Sequence, residues 1–328
     1  MITLTAGSAN ELFAAACQAV LRDGAMVSPR GLATREVMGA HLCLTDPRRR
    51  LVDLPPARVI NPAFAVAEAM WILSGSDDPW IFQYNRGLTR YADDGRLQGA
   101  YGPRMRHWRG AIDQLDGVRQ LLERDPDSRQ GVIQLFDPEL DTRGHRDVPC
   151  TLGYRFFLRE GRLQMHTTMR SQDLWLGFPY DVFAATLLHE LLAGWLHVGL
   201  GEYHHHVDSL HLYAHHQPDA ARVPPHPDAS AAMPAFEVPF EELDTRLAAV
   251  ITGRPSLAPH WAWAEFAAVL AGYRSWTQGR RQDARTLAAV TPGETAQALR
   301  RWFTHLTDSP VPATAETASS TAEAGSAP

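Results

Sequence analysis

Residues 147–181 read DVPCTLGYRFFLREGRLQMHTTMRSQDLWLGFPYD and decide the fold. Within this stretch, two apolar runs at 153–158 and 163–169 are joined by a Glu-Gly pair, a pattern typical of a β-hairpin. The next segment, 182–198, is apolar almost throughout, which predicts a buried helix rather than a surface helix. The sequence therefore predicts a hairpin that leads into a core helix.

Reactive side chains are concentrated around this hairpin and helix. Cys150 opens the hairpin, and a cysteine attacks as its thiolate, which needs a nearby cation or hydrogen-bond donor. Arg170, at the other end of the hairpin, can supply that cation. Arg30 and Arg129 lie in predicted turns and suit a phosphate clamp, because guanidinium binds phosphate oxygens in a bidentate manner. Asp181 begins the core helix and needs a polar partner if it is buried.

Composition restricts the class of protein. The chain has 328 residues, is 45% apolar and carries a formal net charge of −6, so it can bury a full core and is unlike a general nucleic-acid-binding protein. Its three cysteines have unrelated spacings, which indicates a reducing cytoplasm rather than a disulfide framework. We expect neither a signal peptide nor a membrane span, because the first ten residues lack a basic start and no uncharged apolar stretch reaches about 18 residues.

The remaining elements follow from periodicity and turn residues. Helices are predicted over 11–22, 62–73 and 110–123, strands over 37–44 and 131–136, and loops over 91–108 and 217–235. The arginines at 48–50 are expected in a solvated loop. Residues 236–306 are expected to alternate short strands and helices, with Trp261, Trp263 and Trp302 in the core. Residues 309–328 have the composition of a disordered tail, which leaves 1–308 as one domain.

Three alternative motifs are less consistent with the sequence. His189-Glu190 lacks the second helical histidine of a zincin, because Ala193 stands four residues on. A Pro-Cys pair at a hairpin start is not the helix N-terminus of a papain-like protease. Several histidines could bind metal, but no acidic or cysteine partner stands at a fixed spacing, so we expect none; they are His204, His205, His206, His211, His215 and His216.

The order of these residues resembles the thymidylate synthase superfamily over about residues 10–216. The matching pieces are Arg30-Gly31, Glu68 before Trp71 and Gly75, Tyr101-Gly102 with Arg106, Ser128-Arg129, Pro149-Cys150, Arg170-Ser171-x-Asp173, Leu176-Gly-x-Pro-Tyr-Asp181 and His211-x-Tyr213. After residue 217 the resemblance is poor. It implies an α+β fold, a large mixed β-sheet with helices packed around one long buried helix, in a single catalytic domain whose part 217–308 is divergent.

The resemblance also implies roles for the residues of the reacting centre. Cys150 resembles the nucleophile that adds to C6 of a pyrimidine, which makes C5 reactive toward a one-carbon unit carried by 5,10-methylenetetrahydrofolate. Glu68 resembles the acid that governs the proton and water network, and Tyr101 resembles its partner near C5. The positions that resemble folate contacts are Asp173, which also reaches the base edge, Trp80 and Gly177.

The resemblance further implies a nucleotide clamp. Arg30 and Arg170 resemble phosphate ligands, and Ser171 resembles a neighbour of both the phosphate and the nucleophile. His211 and Tyr213 resemble the pair that holds the sugar 3′-hydroxyl. Arg129 resembles an arginine that reaches in from a second subunit, which implies a homodimer.

The residue at position 181 indicates which pyrimidine base the substrate carries. Thymidylate synthases carry an asparagine there, which can donate to O4 of uracil and accept from N3–H. A carboxylate only accepts, which suits the N4 amine and a protonated N3 of cytosine. A carboxylate placed against O4 of uracil would set two hydrogen-bond acceptors against each other. In a site without water, this would weaken binding by a few kcal/mol. The branch with this aspartate is cytidylate hydroxymethylase, in which water rather than folate hydride completes the reaction.

Other departures fit a non-standard branch. Thr151 follows the cysteine, Gln130 replaces a second arginine of the phosphate clamp, and the divergent C-terminus departs from the family's usual lid over folate. Arg129 and Ser171 follow the deoxynucleotide pattern, so we expect dCMP ahead of CMP.

The sequence thus predicts a (deoxy)cytidylate 5-hydroxymethyltransferase of the cytoplasm, with no metal. Two alternatives stay open: a methyltransferase that releases dihydrofolate, and a nucleotide-binding or RNA-binding module without turnover. Neither the pathway nor the role of residues 217–328 follows from the sequence.

Overall fold

A computed structural model describes residues 1–254 and 260–308 of the chain. The strands are Ile2–Ala6 (β1), Ala25–Val27 (β2), Thr34–Leu44 (β3), Gly131–Gln134 (β4), Thr151–Arg159 (β5), Arg162–Met169 (β6), Gln172–Asp173 (β7) and Gly199–Tyr213 (β8). The helices are Ala9–Asp23 (α1), Pro62–Leu73 (α2), Tyr101–Arg106 (α3), Gln114–Arg124 (α4), Pro138–Asp141 (α5), Phe178–Trp195 (α6), Gln217–Ala220 (α7), Leu243–Thr252 (α8), Trp261–Thr277 (α9), Arg281–Val290 (α10) and Glu294–Asp308 (α11). The tail expected over 309–328 lies outside the described residues.

The strands form one mixed sheet. Its order is β1-β3-β8-β6-β5-β4, with β2 paired to β3 and β7 paired to β8. The long strand β8 lies between β3, which runs antiparallel to it, and β6, which runs parallel. The fold is therefore α+β with a large mixed sheet, as predicted.

The predicted hairpin is confirmed. β5 and β6 pair antiparallel from Thr151 opposite Met169 to Arg159 opposite Arg162. Glu160 and Gly161 both have positive φ, 52° and 69°, which is the backbone twist that a two-residue hairpin turn requires. The hairpin brings its two ends together, so the residue before β5 lies beside the residue after β6.

The predicted core helix is α6. All of its residues are buried except Tyr180, Asp181 and Gly194, and it packs against α2, β6 and β8. Each fully buried leucine or phenylalanine contributes about 1.5–3 kcal/mol to stability, so a helix that is apolar on every side is stable only in this central position. Its polar first turn faces the open end of the hairpin.

Two predictions about the N-terminal half are wrong. Arg50 is fully buried rather than solvated, because its guanidinium pairs with the carboxylate of Glu190 on α6, which also accepts from Arg48 at 2.7 Å. A buried ion pair of this kind needs both partners. The segment 91–108 is not all loop, because Tyr101 begins the short helix α3.

The C-terminal third differs from its prediction as well. Within 236–254 and 260–306 the structure forms helices and no strand. Trp263 is buried as expected, whereas Trp261 is 50% exposed and Trp302 is only partly buried. The segment 217–235 is a loop apart from α7, which covers its first four residues. That residues 1–308 form a single domain stays a prediction, although α8, α9 and α11 pack on α2 or on one another within one apolar core.

None of the helices in the described residues is both long and apolar enough to cross a lipid bilayer.

Candidate active site

Cys150 lies at the open end of the hairpin, one residue before β5. The backbone N–H of Arg170 donates to the Cys150 carbonyl at 2.9 Å, and the Ser171 hydroxyl lies 3.8 Å from Sγ. The Arg170 guanidinium donates to the carbonyls of Pro149 and Val148, both at 2.9 Å. Arg170 therefore holds the turn that presents the thiol and brings a positive charge to it.

Opposing influences act on the Cys150 thiol. Burial raises its pKa above the ordinary value, and the charges of Asp181 and Asp147 act in the same direction, while Arg170 and the Ser171 hydroxyl lower it. The thiol is thus held mostly protonated, and a thiolate forms there only when the local charge changes. Binding of a ligand that neutralises a nearby carboxylate would favour the thiolate.

Two carboxyl groups face each other from α2 and α6. Burial raises the pKa of Glu68 well above its ordinary value, and the charge of Asp181 adds to this. Burial also raises the pKa of Asp181, to about 6, although a hydrogen bond from Gln172 opposes the shift. The Gln172 hydrogen bond lowers the pKa of Asp181 but does not act on Glu68, so Asp181 is the stronger acid of the pair.

Tyr101 connects this carboxyl pair to the cysteine. It begins α3, and its hydroxyl oxygen accepts the backbone N–H of Thr151 at 3.2 Å, one residue beyond the thiol. Burial raises the pKa of Tyr101 well above its ordinary value, and the charges of Asp181 and Cys150 add to the shift. Tyr101 is therefore a neutral phenol that lies close to both groups.

Asp173 and Gly177 form the turn between β7 and α6. One oxygen of Asp173, Oδ1, accepts the backbone N–H groups of Trp175 and Leu176, both at 2.9 Å. Gly177 packs so closely on this turn that a Cβ there would lie 2.6 Å from the amide nitrogen of Gln172 and 3.1 Å from Oδ2 of Asp181. A side chain at 177 would therefore displace the groups that hold Asp181.

The histidine–tyrosine pair lies on the neighbouring strand. His211 of β8 pairs with Asp173 of β7, and the rings of His211 and Tyr213 meet edge-to-face with centroids 5.4 Å apart. Tyr213 in turn pairs with Thr34, which begins β3 shortly after the turn that carries Arg30. Arg30 is exposed and makes no ion pair within the described residues. The three residues thus lie along one edge of the site.

The remaining predicted site residues, Arg129 and Trp80, share no hydrogen bond with the groups above in the part of the chain that the structure describes. Arg129 is exposed and precedes β4, whose first residue, Gly131, pairs with Phe156 far along β5. At about 3.3 Å per residue, Arg129 is separated from Cys150 of its own chain by roughly 20–25 Å. Trp80 meets Tyr84 edge-to-face at 6.1 Å, between α2 and the C-terminal helices.

Sequence reasoning missed a buried polar group behind Asp181. The Gln172 side chain donates to Oδ2 of Asp181 at 2.8 Å, and its carbonyl oxygen lies 2.9 Å from Nε2 of His205. His205 is fully buried on the inner face of β8. The available signal was the alternation of a strand, which turns the middle residue of the run 204–206 toward the core.

The other two histidines of that run point outward. The rings of His204 and His206 stack with those of His41 and His166 on the outer face of the sheet. Burial and the neighbouring imidazoles lower the pKa of His166 to about 3 and that of His206 to about 4, so these rings are neutral. Beside them, Cys43, Glu202 and His204 bring possible metal-ligating atoms within 4.8 Å of one another. The expectation of no metal stays a prediction.

The mixed sheet, its buried central helix and the cysteine facing two carboxyl groups define a class of fold and site that matches a family model. That model, described as Thymidylate synthase, covers residues 11–238. The chain belongs to the thymidylate synthase family, whose members use methylenetetrahydrofolate as a co-substrate.

Two phage proteins are similar to it, and both are named deoxyuridylate hydroxymethyltransferase. The protein of Bacillus phage SP01 is 34% identical over 227 residues, which cover 65% of this chain and 59% of the phage protein. The protein of Delftia phage PhiW-14 is 34% identical over 185 residues, which cover 52% of this chain and 50% of the phage protein. The matched segments thus span between half and three fifths of these relatives.

Proposed function

We propose that this chain transfers a one-carbon unit from 5,10-methylenetetrahydrofolate to C5 of a cytidine monophosphate, dCMP ahead of CMP, and that water completes the reaction to give the 5-hydroxymethyl nucleotide. The observation that carries the proposal is the carboxylate of Asp181, held by a donor from Gln172 and close enough to Cys150 for its charge to raise the thiol pKa. A hydrogen-bond acceptor at the base edge selects a ring that carries an amine.

The chain's own groups can support each step. Cys150 adds through sulfur to C6, and a proton on N3 shared with Asp181 draws electrons away from the ring. C5 then forms a bond to the one-carbon unit and loses its proton, with the neutral phenol of Tyr101 nearby. Glu68, whose pKa burial raises well above its ordinary value, can exchange a proton with the water network. The bond between the new carbon and the folate nitrogen breaks as that nitrogen takes up a proton, so tetrahydrofolate leaves and an exocyclic methylene group remains on C5. Water then adds to the methylene carbon, the C5–C6 double bond forms again, and the S–C6 bond breaks to regenerate the thiol.

The described residues fit a folate molecule. Oδ2 of Asp173 makes no hydrogen bond within the described residues and can accept from a pterin N–H. Leu176, in the same turn, is 42% exposed and offers an apolar surface. Bound methylenetetrahydrofolate supplies a carbon at the oxidation level of formaldehyde. We place Asp173 and Gly177 beside it, and the family resemblance adds Trp80 as a third contact.

The nucleotide clamp follows from the same proposal. Arg170 and Ser171 would bind the phosphate beside the thiol, and Arg30 would approach from the turn before β3. His211 and Tyr213 would hold the sugar hydroxyl. Arg129 would reach the site of a second copy of the chain, because it lies far from the cysteine of its own copy.

A second candidate substrate is deoxyuridylate. Both phage relatives carry that substrate in their names, and a carboxyl whose pKa is about 6 is partly protonated near neutral pH. Protonated Asp181 could donate to O4 of uracil. The two candidate substrates, dCMP and dUMP, thus require different protonation states of Asp181.

Tritium release from C5-labelled dCMP, CMP and dUMP, followed by mass analysis of the products, tests the proposal. We expect release from dCMP with folate present and a product that has gained one hydroxymethyl group. A gain of one methyl group with growth of dihydrofolate absorbance would identify the methylating alternative. Release from dUMP alone would identify deoxyuridylate as the substrate.

A pair of cysteine variants tests whether the chain is an enzyme at all. Cys150→Ser should abolish tritium release, because a serine hydroxyl is a far weaker nucleophile at neutral pH. Cys17→Ser, a buried thiol on α1 whose pKa burial raises, is the matched control and should retain activity if it folds. Absence of release from all three nucleotides in the unmodified chain would instead favour a binding module without turnover.

A further inference from the structure

The hydrogen bonds behind Asp181 form a continuous buried chain. Thr167 and Tyr203 are joined at 2.9 Å, the Tyr203 hydroxyl and Nδ1 of His205 at 2.8 Å, and Nε2 of His205 and the Gln172 carbonyl oxygen at 2.9 Å. The chain ends at 2.8 Å on Oδ2 of Asp181. Four of the five side chains are 2% exposed or less, so water cannot substitute for a missing partner.

One contact fixes the direction of this chain. The Gln172 amide nitrogen lies 2.8 Å from Oδ2 of Asp181 and 3.2 Å from the backbone carbonyl of Asp173. A backbone carbonyl can only accept, so the reversed amide would set two acceptors against each other. Gln172 therefore donates toward Asp181 and accepts from His205.

The remaining protons follow from that assignment. His205 must carry its proton on Nε2, which leaves Nδ1 as an acceptor for the Tyr203 hydroxyl. Tyr203 then accepts from Thr167. His205 is held as a neutral ring, because burial lowers its pKa to about 3, and Phe178 packs edge-on against it at 5.7 Å. Every member of the chain has one consistent role.

This chain of hydrogen bonds affects the ionisation of Asp181. Its Oδ2 accepts from Gln172, which stabilises the ionised form, and its Oδ1 makes no hydrogen bond within the described residues. Its position in the first turn of α6 favours the ionised form as well. The groups whose electrostatic interaction with Asp181 opposes its ionisation are Glu68 of α2, Tyr101 of α3, Cys150, Tyr154 of β5, Asp173 of β7 and Tyr203 of β8.

We propose that Gln172 and His205 are positioning residues that keep Asp181 a hydrogen-bond acceptor and so determine that the site takes a pyrimidine whose edge carries donors. This inference rests on the proposed function for the identity of the ligand. It assigns base selection to two residues that do not themselves need to touch the base. Without them, Asp181 would be protonated more readily and could donate to a carbonyl-bearing ring.

The first measurement follows the carboxyl group directly. The titration of Asp181 is recorded by ¹³C NMR of side-chain carboxyls, with the signal assigned by its loss in Asp181→Asn. In Gln172→Leu the pKa of Asp181 should rise by about one unit, since a hydrogen bond to the charged form is lost. His205→Phe should raise it less, and His205→Gln, whose amide can donate to Gln172, should restore the original titration.

The second measurement is equilibrium binding of dCMP and dUMP by calorimetry, which needs no turnover. In Gln172→Leu the ratio of the dUMP and dCMP dissociation constants should fall about tenfold, as expected for one hydrogen bond to a charged group. The matched control is His189→Gln, a buried neutral histidine on α6 that donates to the Leu163 carbonyl at 2.7 Å and has no link to Asp181. It should leave both readouts unchanged.

The outcomes separate this inference from the proposed function. An unchanged Asp181 titration in folded Gln172→Leu, or an unchanged binding ratio, overturns the inference. If neither nucleotide binds the unmodified chain, the proposed function fails, and the Asp181 titration alone decides the inference. If Gln172→Leu does not fold, Gln172→Met, which keeps the length of the side chain but has no N–H donor, gives the same test, and an unchanged titration there overturns the inference.

Discussion

Glu68 of α2 and Asp181 of α6 titrate as a pair, and they do so unequally. Burial raises the pKa of both, but the Gln172 hydrogen bond opposes the shift only at Asp181, whose pKa is about 6, whereas Glu68 is held well above its ordinary value. Two carboxyl groups in one dry site cannot both ionise easily. Because of this asymmetry, Asp181 is the stronger acid of the two.

Asp181→Asn should change the preferred base. Because Gln172 donates to the position of Oδ2, the asparagine oxygen should occupy that position, and its amide should turn toward the ring. An amide N–H suits O4 of uracil and opposes the N4 amine of cytosine. We expect the ratio of kcat/KM for dUMP to that for dCMP to rise at least about 100-fold, measured by tritium release.

A matched control for that variant is Glu265→Gln. Glu265 is also a buried carboxyl with a pKa raised by burial, but it accepts the backbone N–H groups of Thr295 and Ala296 at the start of α11. Glu265→Gln should leave the ratio of kcat/KM for dUMP to that for dCMP unchanged. An Asp181→Asn enzyme that keeps its preference for dCMP would show that position 181 does not read the base.

The pH dependence of activity should reveal the ionised form of Asp181. A carboxyl with a pKa of about 6 is mostly protonated at about pH 5 and mostly ionised at about pH 7. With dCMP, kcat/KM should therefore rise across this interval and level off above it. With dUMP it should fall over the same interval, because O4 needs the protonated form. Parallel profiles for the two nucleotides would contradict the proposed role of Asp181.

Stability should fall in acid because two buried histidines stay neutral in the folded chain and take up protons only when the chain unfolds. Burial lowers the pKa of His205 to about 3 and that of His189 to about 4, whereas an unfolded histidine has a pKa of about 6.5. Their contribution is thus fully present above about pH 6.5 and is lost as the pH falls toward 4. Each adds a slope of up to about 1.4 kcal/mol per pH unit in that window.

Urea unfolding at several pH values measures this slope. His189→Gln removes one titrating group, so its free energy of unfolding should depend less steeply on pH between about 6.5 and 4.5, by up to about 1.4 kcal/mol per unit. Asp181 acts in the opposite direction, because a raised carboxyl pKa stabilises the fold most below about pH 4 and less as the pH rises through 6. Equal slopes in the variant and the unmodified chain would contradict the assignment of a neutral His189.

The hairpin and the core helix were predictable because local pattern and burial agree there. The Glu-Gly turn, the two apolar runs and the uniformly apolar helix leave few alternatives. Arg50 was misplaced because its partner, Glu190, lies 140 residues away, and no local pattern reveals a buried ion pair. Trp261 was misplaced for a related reason: apolar composition does not specify which face of a helix a neighbour covers.

The candidate site was predictable from residues that carry reactive or charged groups, whereas the buried hydrogen bonds behind Asp181 were not predictable. Cys150, Arg170 and Asp181 carry reactive or charged groups in a recognisable order. His205 and Gln172 lie 33 residues apart in the chain. They lie on β8 and β7, two strands that become neighbours only in the folded sheet. Their connection depends on how the strands pair, which the run of histidines at 204–206 does not reveal.

Mixing two inactive variants should test whether Arg129 serves a second copy. Within one chain Arg129 lies roughly 20–25 Å from Cys150, so we expect it to act across a homodimer interface. Cys150→Ser and Arg129→Ala, unfolded together and refolded in equal amounts, should give half heterodimers, each with one complete site. Tritium release should therefore recover to about a quarter of the unmodified activity, as the combinatorics of a two-fold dimer require. Refolding each variant alone is the control, and a mixture no more active than its components would mean that Arg129 does not complete the site of a partner.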